Sequence, residues 1–313
     1  MVLWLGYSEA RGSYILQRVP VYTPGAIEVS TRTDDGWTLR GERLVCEDAP
    51  VVVVLGHAMM VDRRTLDRPA GAGLASTLHD RGLDVTWLDA RGHGESGPTA
   101  AEGARWSYDD IVRHDVPAFV RLAREVADGR PVVLLGHSLI GHAGLIAAGL
   151  NPAGAPDAIV AYAPSLWKPS FEPNPARRAQ KTVLLRAWAI WARVGGFFDP
   201  RHFELGGAAV AEPYIRQFLE MWRSDRLEDG RGDDYEAAIG RADVDLLAVS
   251  SRNDSLFARV DSVAQFVGLA RNARVEERVL EGDGAPSHIG FVTDEKSKTL
   301  WEETATWILA RSA

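Results

Sequence analysis

The sequence contains a single cysteine and no long apolar run, and each of these absences excludes a class of protein. Cys46 alone can form neither an intramolecular disulfide nor a cysteine-based zinc site, and its strand-like surroundings favour a buried structural thiol. No segment reaches the ~18 consecutive apolar residues of a membrane span. Because Met1–Tyr14 also lacks the basic start and long apolar run of a secretory leader, we expect a soluble cytoplasmic protein.

A strongly basic surface is also missing. The chain has 35 Lys and Arg residues against 43 Asp and Glu residues, for a formal net charge of -8, whereas nucleic-acid-binding proteins present basic patches. The densest basic segment, Arg177, Arg178 and Lys181, is interpreted as a solvated helix face. There is no phosphate-binding loop, dinucleotide fingerprint or convincing metal-ligand spacing. We therefore expect no nucleic-acid partner, no metal ion and no cofactor.

Strand-like and helical patterns alternate along most of the 313 residues. The strand-like segments are residues 27–32, 39–45, 51–55, 84–89, 131–135, 158–163, 244–250 and 274–280. The helical patterns cover residues 74–81, 107–128, 139–150, 183–194, 214–222, 260–271 and 294–310. This alternation predicts an α/β fold with a parallel sheet and right-handed crossovers. The rhythm breaks between about Ser165 and Ala242, where prolines and aromatic residues are dense.

A serine follows one of the buried strand patterns at a sharp turn. The segment Gly136-His137-Ser138-Leu139-Ile140-Gly141 comes directly after the apolar run 131–135 and before a helical pattern. A strand–turn–helix elbow of this kind lifts a serine hydroxyl out of the backbone and exposes it for attack on a carbonyl. The pattern therefore predicts a nucleophilic serine, and a retained but unused serine is the alternative.

A serine nucleophile needs a base and an acid that orients the base. Asp254 follows the strand pattern that ends at residue 250, and His288 follows the one that ends at residue 280. All three groups therefore fall at the carboxyl ends of strands, where such sheets place catalytic groups. Asp283 is the rival acid, because it lies only a few residues before His288, although a turn role explains it more simply.

Four segments resemble the α/β-hydrolase superfamily, in particular its lid-bearing esterase, lipase and serine-aminopeptidase-like members. These segments are Gly56-His57-Ala58-Met59, the D-x-R-G-H-G-x-S loop at residues 89–96, Gly136-His137-Ser138-Leu139 and Ser287-His288-Ile289-Gly290-Phe291. The resemblance covers residues from about 27 to 310. It implies an eight-stranded, mostly parallel sheet with helices on both faces, a helical cap inserted after the sixth strand, and acyl hydrolysis without a cofactor.

The resemblance also implies roles for residues around the serine. The backbone N–H groups of Leu139 and Met59 would form the oxyanion hole, with Ala58 as the alternative to Met59. His57, His93 and His137 would hydrogen-bond loop backbone near the site. His142, in the first turn of the helix after the serine, is interpreted from its position as a packed or solvated residue.

Two residues depart from the family pattern. Ile140 stands where the elbow usually has a small residue, and Ala58 stands where the oxyanion loop usually has glycine. We expect Ile140 to crowd the approach of the helix to the strand. We expect both changes to weaken stabilisation of the transition state.

The division of the chain follows from the break in the rhythm. We expect a core domain formed by residues 1–164 and 243–313 and a helical cap formed by residues 165–242. A cap over an acyl pocket must have an apolar inner face. The aromatic residues predicted to contact the substrate are Trp167, Trp188, Trp191 and Phe218.

The expected function is hydrolysis of a carboxylic ester, or a related acyl bond, in a small to medium, largely apolar substrate. A serine aminopeptidase would need a cap carboxylate to hold the free amine, and Glu172, Glu204 and Glu212 are available. An acyltransferase or thioesterase would use the same three residues. A non-hydrolytic ligand-binding protein with this fold is the alternative from another class. The oligomeric state is left open.

Overall fold

The computed structural model describes residues 21–311, so the prediction made for Met1–Tyr14 lies outside the described residues. The strands, in chain order, are β1 Ile27–Arg32, β2 Thr38–Leu44, β3 Val52–Gly56, β4 Asp84–Leu88, β5 Val132–His137, β6 Ala158–Tyr162, β7 Phe197–Phe198, β8 Val210–Ala211, β9 Asp245–Ser251 and β10 Arg274–Leu280. Eight of them form one sheet in the order β1-β2-β4-β3-β5-β6-β9-β10. Each predicted strand is present, with ends that differ by two residues at most.

The sheet is antiparallel at one edge and parallel elsewhere. Strand β2 pairs antiparallel with both β1 and β4, and the pairs from β4 to β10 are parallel. Strands β3, β4, β5 and β6 are buried along their whole length, as expected for parallel strands covered by helices on both faces. The prediction of an eight-stranded, mostly parallel sheet is confirmed.

The helices connect the strands and cover the sheet. They are α1 Leu74–Asp80, α2 Tyr108–Asp110, α3 Val116–Ala127, α4 Leu139–Leu150, α5 Pro175–Gly195, α6 Glu212–Ser224, α7 Tyr235–Arg241, α8 Val260–Val267, α9 Gly290–Thr293 and α10 Lys298–Leu309. A π-helical turn at Ile111–Asp115 joins α2 to α3. In the described part of the chain, no helix has the length and apolarity needed to cross a membrane.

The residues between β6 and β9 form α5, α6, the short β7–β8 hairpin and α7. Helix α7 packs directly on the core helix α4, because a Cβ added to Gly149 of α4 would lie 1.7 Å from the carbonyl oxygen of Ala238. The glycine thus permits backbone contact between the two helices. The division of the chain into a core and a cap at residues 165–242 stays a prediction.

Two sequence interpretations need correction. Lys181 is buried rather than solvated, because it shares the inner face of α5 with Leu185 and Trp188. Its ammonium lies 3.0 Å from Glu172 and 4.8 Å from the ring centre of Trp167, and these contacts compensate a buried charge. Cys46, just after β2, is half-buried rather than buried.

His93, His137 and His142 are buried in the folded core. Burial lowers the pKa of His93 to about 4 and the pKa values of His137 and His142 to about 3, because an imidazolium there would lose its water. The Nδ1 atom of His142 lies 2.7 Å from the hydroxyl of Tyr108. These histidines are therefore neutral in the folded protein at pH values where the unfolded chain already binds protons.

We predict that acid destabilises the protein partly through His142. Its folded pKa lies below the unfolded value, so the unfolded chain binds the extra proton and stability falls as the pH drops below about 6.5. The free energy of unfolding, measured in urea between pH 6 and 4, falls with decreasing pH. His142→Phe should reduce the slope of this dependence by about 1.4 kcal/mol per pH unit. Tyr108→Phe removes the same hydrogen bond but keeps the imidazole, so its slope should match that of the unmodified protein. An unchanged slope in His142→Phe contradicts the assignment.

Candidate functional site

Ser138 occupies a strained turn between β5 and α4. Its backbone has φ 48° and ψ -101°, a conformation that costs free energy in a residue other than glycine. The Ser138 amide donates a hydrogen bond to the carbonyl of Tyr162, at the end of β6, over 2.8 Å. The turn is thereby fixed to the neighbouring strand, and the half-buried Ser138 side chain lines a cavity.

The turn is tight because the backbones of β5 and α4 touch. A Cβ added to Gly136 would lie 2.2 Å from the amide nitrogen of Gly141, so neither strand nor helix could approach as closely with a side chain there. Ile140 does not crowd this contact, contrary to expectation. It points at β3 instead, where a Cβ on Gly56 would lie 2.3 Å from its Cγ2. The glycine on the neighbouring strand thus makes the space that the branched side chain needs.

We predict that Gly56 and Ile140 are energetically coupled. Gly56→Ala should lower the free energy of unfolding by roughly 1–3 kcal/mol, since the added methyl group overlaps Ile140. Combining it with Ile140→Ala should recover part of the loss, so the two substitutions should be non-additive. Urea unfolding of both single variants and the double variant measures the coupling. Simple additivity would show that Ile140 does not occupy this space.

His288 and Asp254 form a close pair. The imidazole Nδ1 lies 2.5 Å from the Asp254 carboxylate, whose side chain is 1% exposed. Burial raises the pKa of Asp254, but the hydrogen bond and charge of His288 and the N–H groups of Phe257 and Ala258 outweigh burial and lower it. Asp254 therefore stays ionised and holds one ring nitrogen of His288.

The rival acid lies elsewhere. Asp283 is exposed in its turn and forms no hydrogen bond or ion pair with His288, both residues being within the described chain. Two polar residues that the sequence analysis missed bring the acid and histidine loops together. The Ser251 hydroxyl donates to the carbonyl of Pro286 over 2.6 Å, and the Asn253 amide donates to that of Ala285 over 2.7 Å. In the sequence, their position within three residues of Asp254 could have identified them.

Two rings position the His288 imidazole. The ring centre of His137 lies 5.1 Å from that of His288. The Nε2 atom of His137 also donates a hydrogen bond to the backbone carbonyl of His288 over 2.8 Å. Phe257 packs at 4.8 Å between ring centres. His288 and Ser138 both line the cavity, although no hydrogen bond joins them in this structure, where both are described. Such bonds are often long before substrate binds.

The predicted oxyanion loop follows β3. Ala58 and Met59 line the cavity together with Ser138, and Leu139 is the first residue of α4, where backbone N–H groups lack helical partners. His57 holds the loop, because its Nδ1 donates to the Ala58 carbonyl over 2.8 Å and its Nε2 accepts the N–H of Ala90 over 3.0 Å. This agrees with the backbone-bonding role expected for His57.

The loop at residues 89–96 is hydrogen-bonded to the predicted oxyanion loop and to the residues that follow it. Asp89 accepts the backbone N–H of Arg63 over 2.7 Å and bonds its guanidinium. Arg63, buried in the same network, also bonds Glu42 at 3.1 Å. His93 bonds the carbonyl of Arg91 at 2.8 Å, as the resemblance implied. The loop is thus structural, and sequence analysis missed Arg63 and Glu42 as its partners.

The cavity in front of Ser138 has a volume of about 950 Å³. Its apolar wall includes Met59, Leu205 and Phe257, and its charged rim includes Asp62, Arg64, Arg68 and Glu204. Asp62 and Arg64 pair with each other at 2.5 Å, whereas Arg68 and Glu204 form no ion pair with any described residue. The cavity therefore joins an apolar surface near the serine to a rim with two uncompensated charges.

None of the four predicted substrate-binding aromatic residues lines this cavity. Trp167 stacks behind Phe257 and donates its indole N–H to the Phe257 carbonyl over 2.8 Å. Trp188 stacks on Trp167, and Phe218 stacks on a tyrosine of its own helix. Trp191 is 42% exposed. The loop at residues 204–208 forms part of the cavity wall instead.

Comparison with known proteins identifies the fold of the chain. The family model for serine aminopeptidase S33 matches residues 68–196, less than half of the chain. None of the curated proteins compared matches the sequence. Among solved structures, DcsB in complex with its substrate analogue is similar over 92% of this chain and 99% of its own, with a TM-score of 0.64 and 15% identity. The chain has the α/β-hydrolase fold.

Two further solved structures share the α/β-hydrolase fold with it. The Pyrococcus furiosus esterase Pf2001 is 17% identical, with 91% of each chain covered and a TM-score of 0.59. Est1E from Butyrivibrio proteoclasticus, solved with ferulic acid, is 14% identical, with 90% of this chain and 99% of that chain covered and a TM-score of 0.56. At identities this low the likeness shows the fold alone, and this is the fold that the sequence resemblance implied.

Proposed function

We propose that this protein is a serine hydrolase that cleaves a carboxylic ester through Ser138, His288 and Asp254. One observation carries the proposal: Ser138, held in a strained turn, faces the same cavity as a histidine whose far nitrogen is bound by a buried carboxylate. A serine exposed on a strained turn, next to a histidine oriented by a carboxylate, is the arrangement that serine hydrolases use for acyl transfer.

The reaction follows from the hydrogen bonds. His288 donates from Nδ1 to Asp254, which leaves Nε2 free to accept the Ser138 proton as Oγ attacks the carbonyl carbon. The tetrahedral intermediate expels the alcohol, which takes that proton from His288, and an acyl-serine remains. Water, deprotonated by His288, then attacks the acyl-serine, and His288 returns that proton to the Ser138 oxygen as the acid is released. Asp254 stabilises the imidazolium in both halves of the reaction.

The oxyanion would be held by backbone N–H groups of Leu139 and Met59, with Ala58 as the alternative to Met59. The orphan N–H at the start of α4 and the loop anchored by His57 support this assignment. Each donor contributes on the order of 3 kcal/mol to transition-state stabilisation. Ala58 has no positive φ, so the loop backbone accepts alanine in place of glycine.

The cavity narrows the substrate class. Its apolar wall suits a small to medium acyl or alcohol group, and the uncompensated Arg68 and Glu204 suit a polar group at the rim. We therefore propose an ester with one apolar and one polar end. A thioester substrate or an acceptor other than water would use the same three residues, and a panel of esters, thioesters and added alcohols separates these reactions.

We predict that a fluorophosphonate probe labels Ser138 and that Ser138→Ala abolishes both labelling and ester hydrolysis. The loss in kcat should be at least about 10⁴-fold, because the nucleophile is removed. Peptide mapping by mass spectrometry locates the label. Folded protein that neither reacts with the probe nor turns over esters would contradict the hydrolase assignment and favour a ligand-binding protein.

We predict that two matched variants identify the acid that orients His288. Asp254→Asn should lower kcat roughly 10³–10⁴-fold, since the histidine loses its orienting charge. Asp283→Asn is the control and should retain full activity, because Asp283 is exposed and away from His288. Loss of activity in Asp283→Asn rather than Asp254→Asn would contradict the assignment of Asp254 as the acid.

A serine aminopeptidase is the second candidate, favoured by one observation. Of the three cap carboxylates available, Glu172 is bound by Arg177 and Lys181, and Glu212 is bound by two arginines. Glu204 lines the cavity and has no partner among the described residues. Glu204 is therefore the residue that would hold the free amine of a substrate.

We predict that Glu204→Gln separates the two candidates. If the substrate carries a free amine, the variant should raise KM roughly 10- to 100-fold for an amino-acyl amide, because a charged hydrogen bond is lost, and leave a neutral ester unaffected. Glu212→Gln, outside the cavity lining, is the matched control. Equal kinetics of Glu204→Gln and unmodified protein on both substrates would contradict the aminopeptidase candidate.

A further inference from the structure

Helix α5 carries apolar side chains on the side that faces solvent as well as on its packed side. Val183, Ile190 and Val194 are 67%, 66% and 86% exposed, respectively. With the exposed Ala187 they recur every three to four residues, which places them in one line along the helix. We call these four residues the α5 stripe. A solvated helix face normally carries polar residues at such positions, so this stripe is unusual.

Two aromatic rings extend the stripe at its C-terminal end. Trp191 and Phe203 are each 42% exposed, and their ring centres lie 5.6 Å apart in an edge-to-face contact. Trp191 also packs on His202 at 5.3 Å. A half-exposed tryptophan presents an apolar ring with a polar N–H, the combination favoured at the boundary between lipid and water.

The charge of α5 is opposite to that of the protein. The chain has a net charge of -8, yet residues 175–195 contain five basic residues and no acidic one. Arg186 and Arg193 each follow a stripe residue by three positions, so they flank the stripe. Neither forms an ion pair with any residue in the described range 21–311. The apolar surface is therefore bordered by free positive charge.

We propose that the α5 stripe, with Trp191 and Phe203, docks the protein on a lipid surface that carries anionic headgroups. Apolar side chains would enter the boundary between headgroups and acyl chains, and Arg186 and Arg193 would bind the headgroup charges. A second copy of the chain fits the surface less well, because a two-fold contact would bring the free arginines of both copies together. No helix crosses the membrane in this arrangement.

The proposed surface is continuous with the cavity wall. Phe203 is followed directly by the loop at residues 204–208, which lines the cavity. That loop touches the oxyanion loop, because the Ala208 amide donates to the Met60 carbonyl over 2.9 Å, and a Cβ on Gly206 would lie 2.2 Å from the same oxygen. A lipid surface bound at α5 would thus be separated from the cavity by this loop alone. The docking proposal does not depend on the proposed hydrolase activity.

Flotation of the purified full chain with vesicles tests the proposal. The protein should float with vesicles of phosphatidylcholine and phosphatidylserine, and leaving out phosphatidylserine should lower its partition coefficient about tenfold, because two arginines lose their anionic partners. Ile190→Asp combined with Val194→Asp should lower binding by about tenfold or more. These side chains are mostly exposed, so circular dichroism and the melting temperature should stay unchanged.

Matched controls use similar residues on other elements. Ile27→Asp changes an apolar residue that is 49% exposed on the edge strand β1, and it should leave flotation unchanged. Arg271→Ala removes an exposed arginine beyond α8, and it should bind as the unmodified chain does, whereas Arg186→Ala with Arg193→Ala should reduce binding to mixed vesicles.

Three results would overturn the proposal. The first is an absence of flotation with mixed vesicles at low ionic strength. The second is flotation that the paired aspartate substitutions on α5 leave unchanged. The third is sedimentation equilibrium showing a dimer that these substitutions dissociate, which would make the stripe an interface between copies of this chain.

Discussion

The strained backbone at Ser138 is the constraint on which the site depends. A residue with a positive φ persists there only because its surroundings leave no alternative. The direct contact of Gly136 with Gly141 holds strand to helix, and the hydrogen bond to Tyr162 holds the turn to the next strand. The same geometry starts α4 at Leu139 and so exposes the N–H groups proposed for the oxyanion hole.

Neutral, buried histidines hold the loops around this turn by hydrogen bonds. His57, His93 and His137 are buried and bond backbone groups of the loops that surround the serine. Burial keeps them uncharged, which suits hydrogen bonds to carbonyl groups but makes the fold sensitive to acid. His288 differs from all three, because it is partly exposed and paired with a carboxylate. Burial and hydrogen-bond partner, rather than residue type, thus distinguish His288, the proposed base, from these three histidines.

The aromatic segment between β6 and β9 has two faces with different roles. On the inner face, Trp167 and Trp188 stack behind Phe257 and thereby support the ring that packs on His288. On the outer face, the α5 stripe meets solvent. The cavity wall itself is built by a loop, which allows Glu204 to reach the rim. The buried rings of this segment thus support the candidate site, whereas its exposed α5 stripe is the surface proposed for lipid docking.

The sequence by itself determined the eight strands, the turn at Ser138 and the candidate histidine, because local patterns of apolar residues and turn residues dictate them. It left Asp254 and Asp283 as rivals, since Asp254 follows the preceding strand and Asp283 lies a few residues before His288. Only the tertiary structure brings Asp254 to the histidine, with the bonds from Ser251 and Asn253 joining the two loops. The fit of Ile140 against Gly56 joins residues far apart in sequence. Periodicity also could not tell which apolar face of α5 turns inward, because burial depends on neighbours that only the tertiary structure supplies.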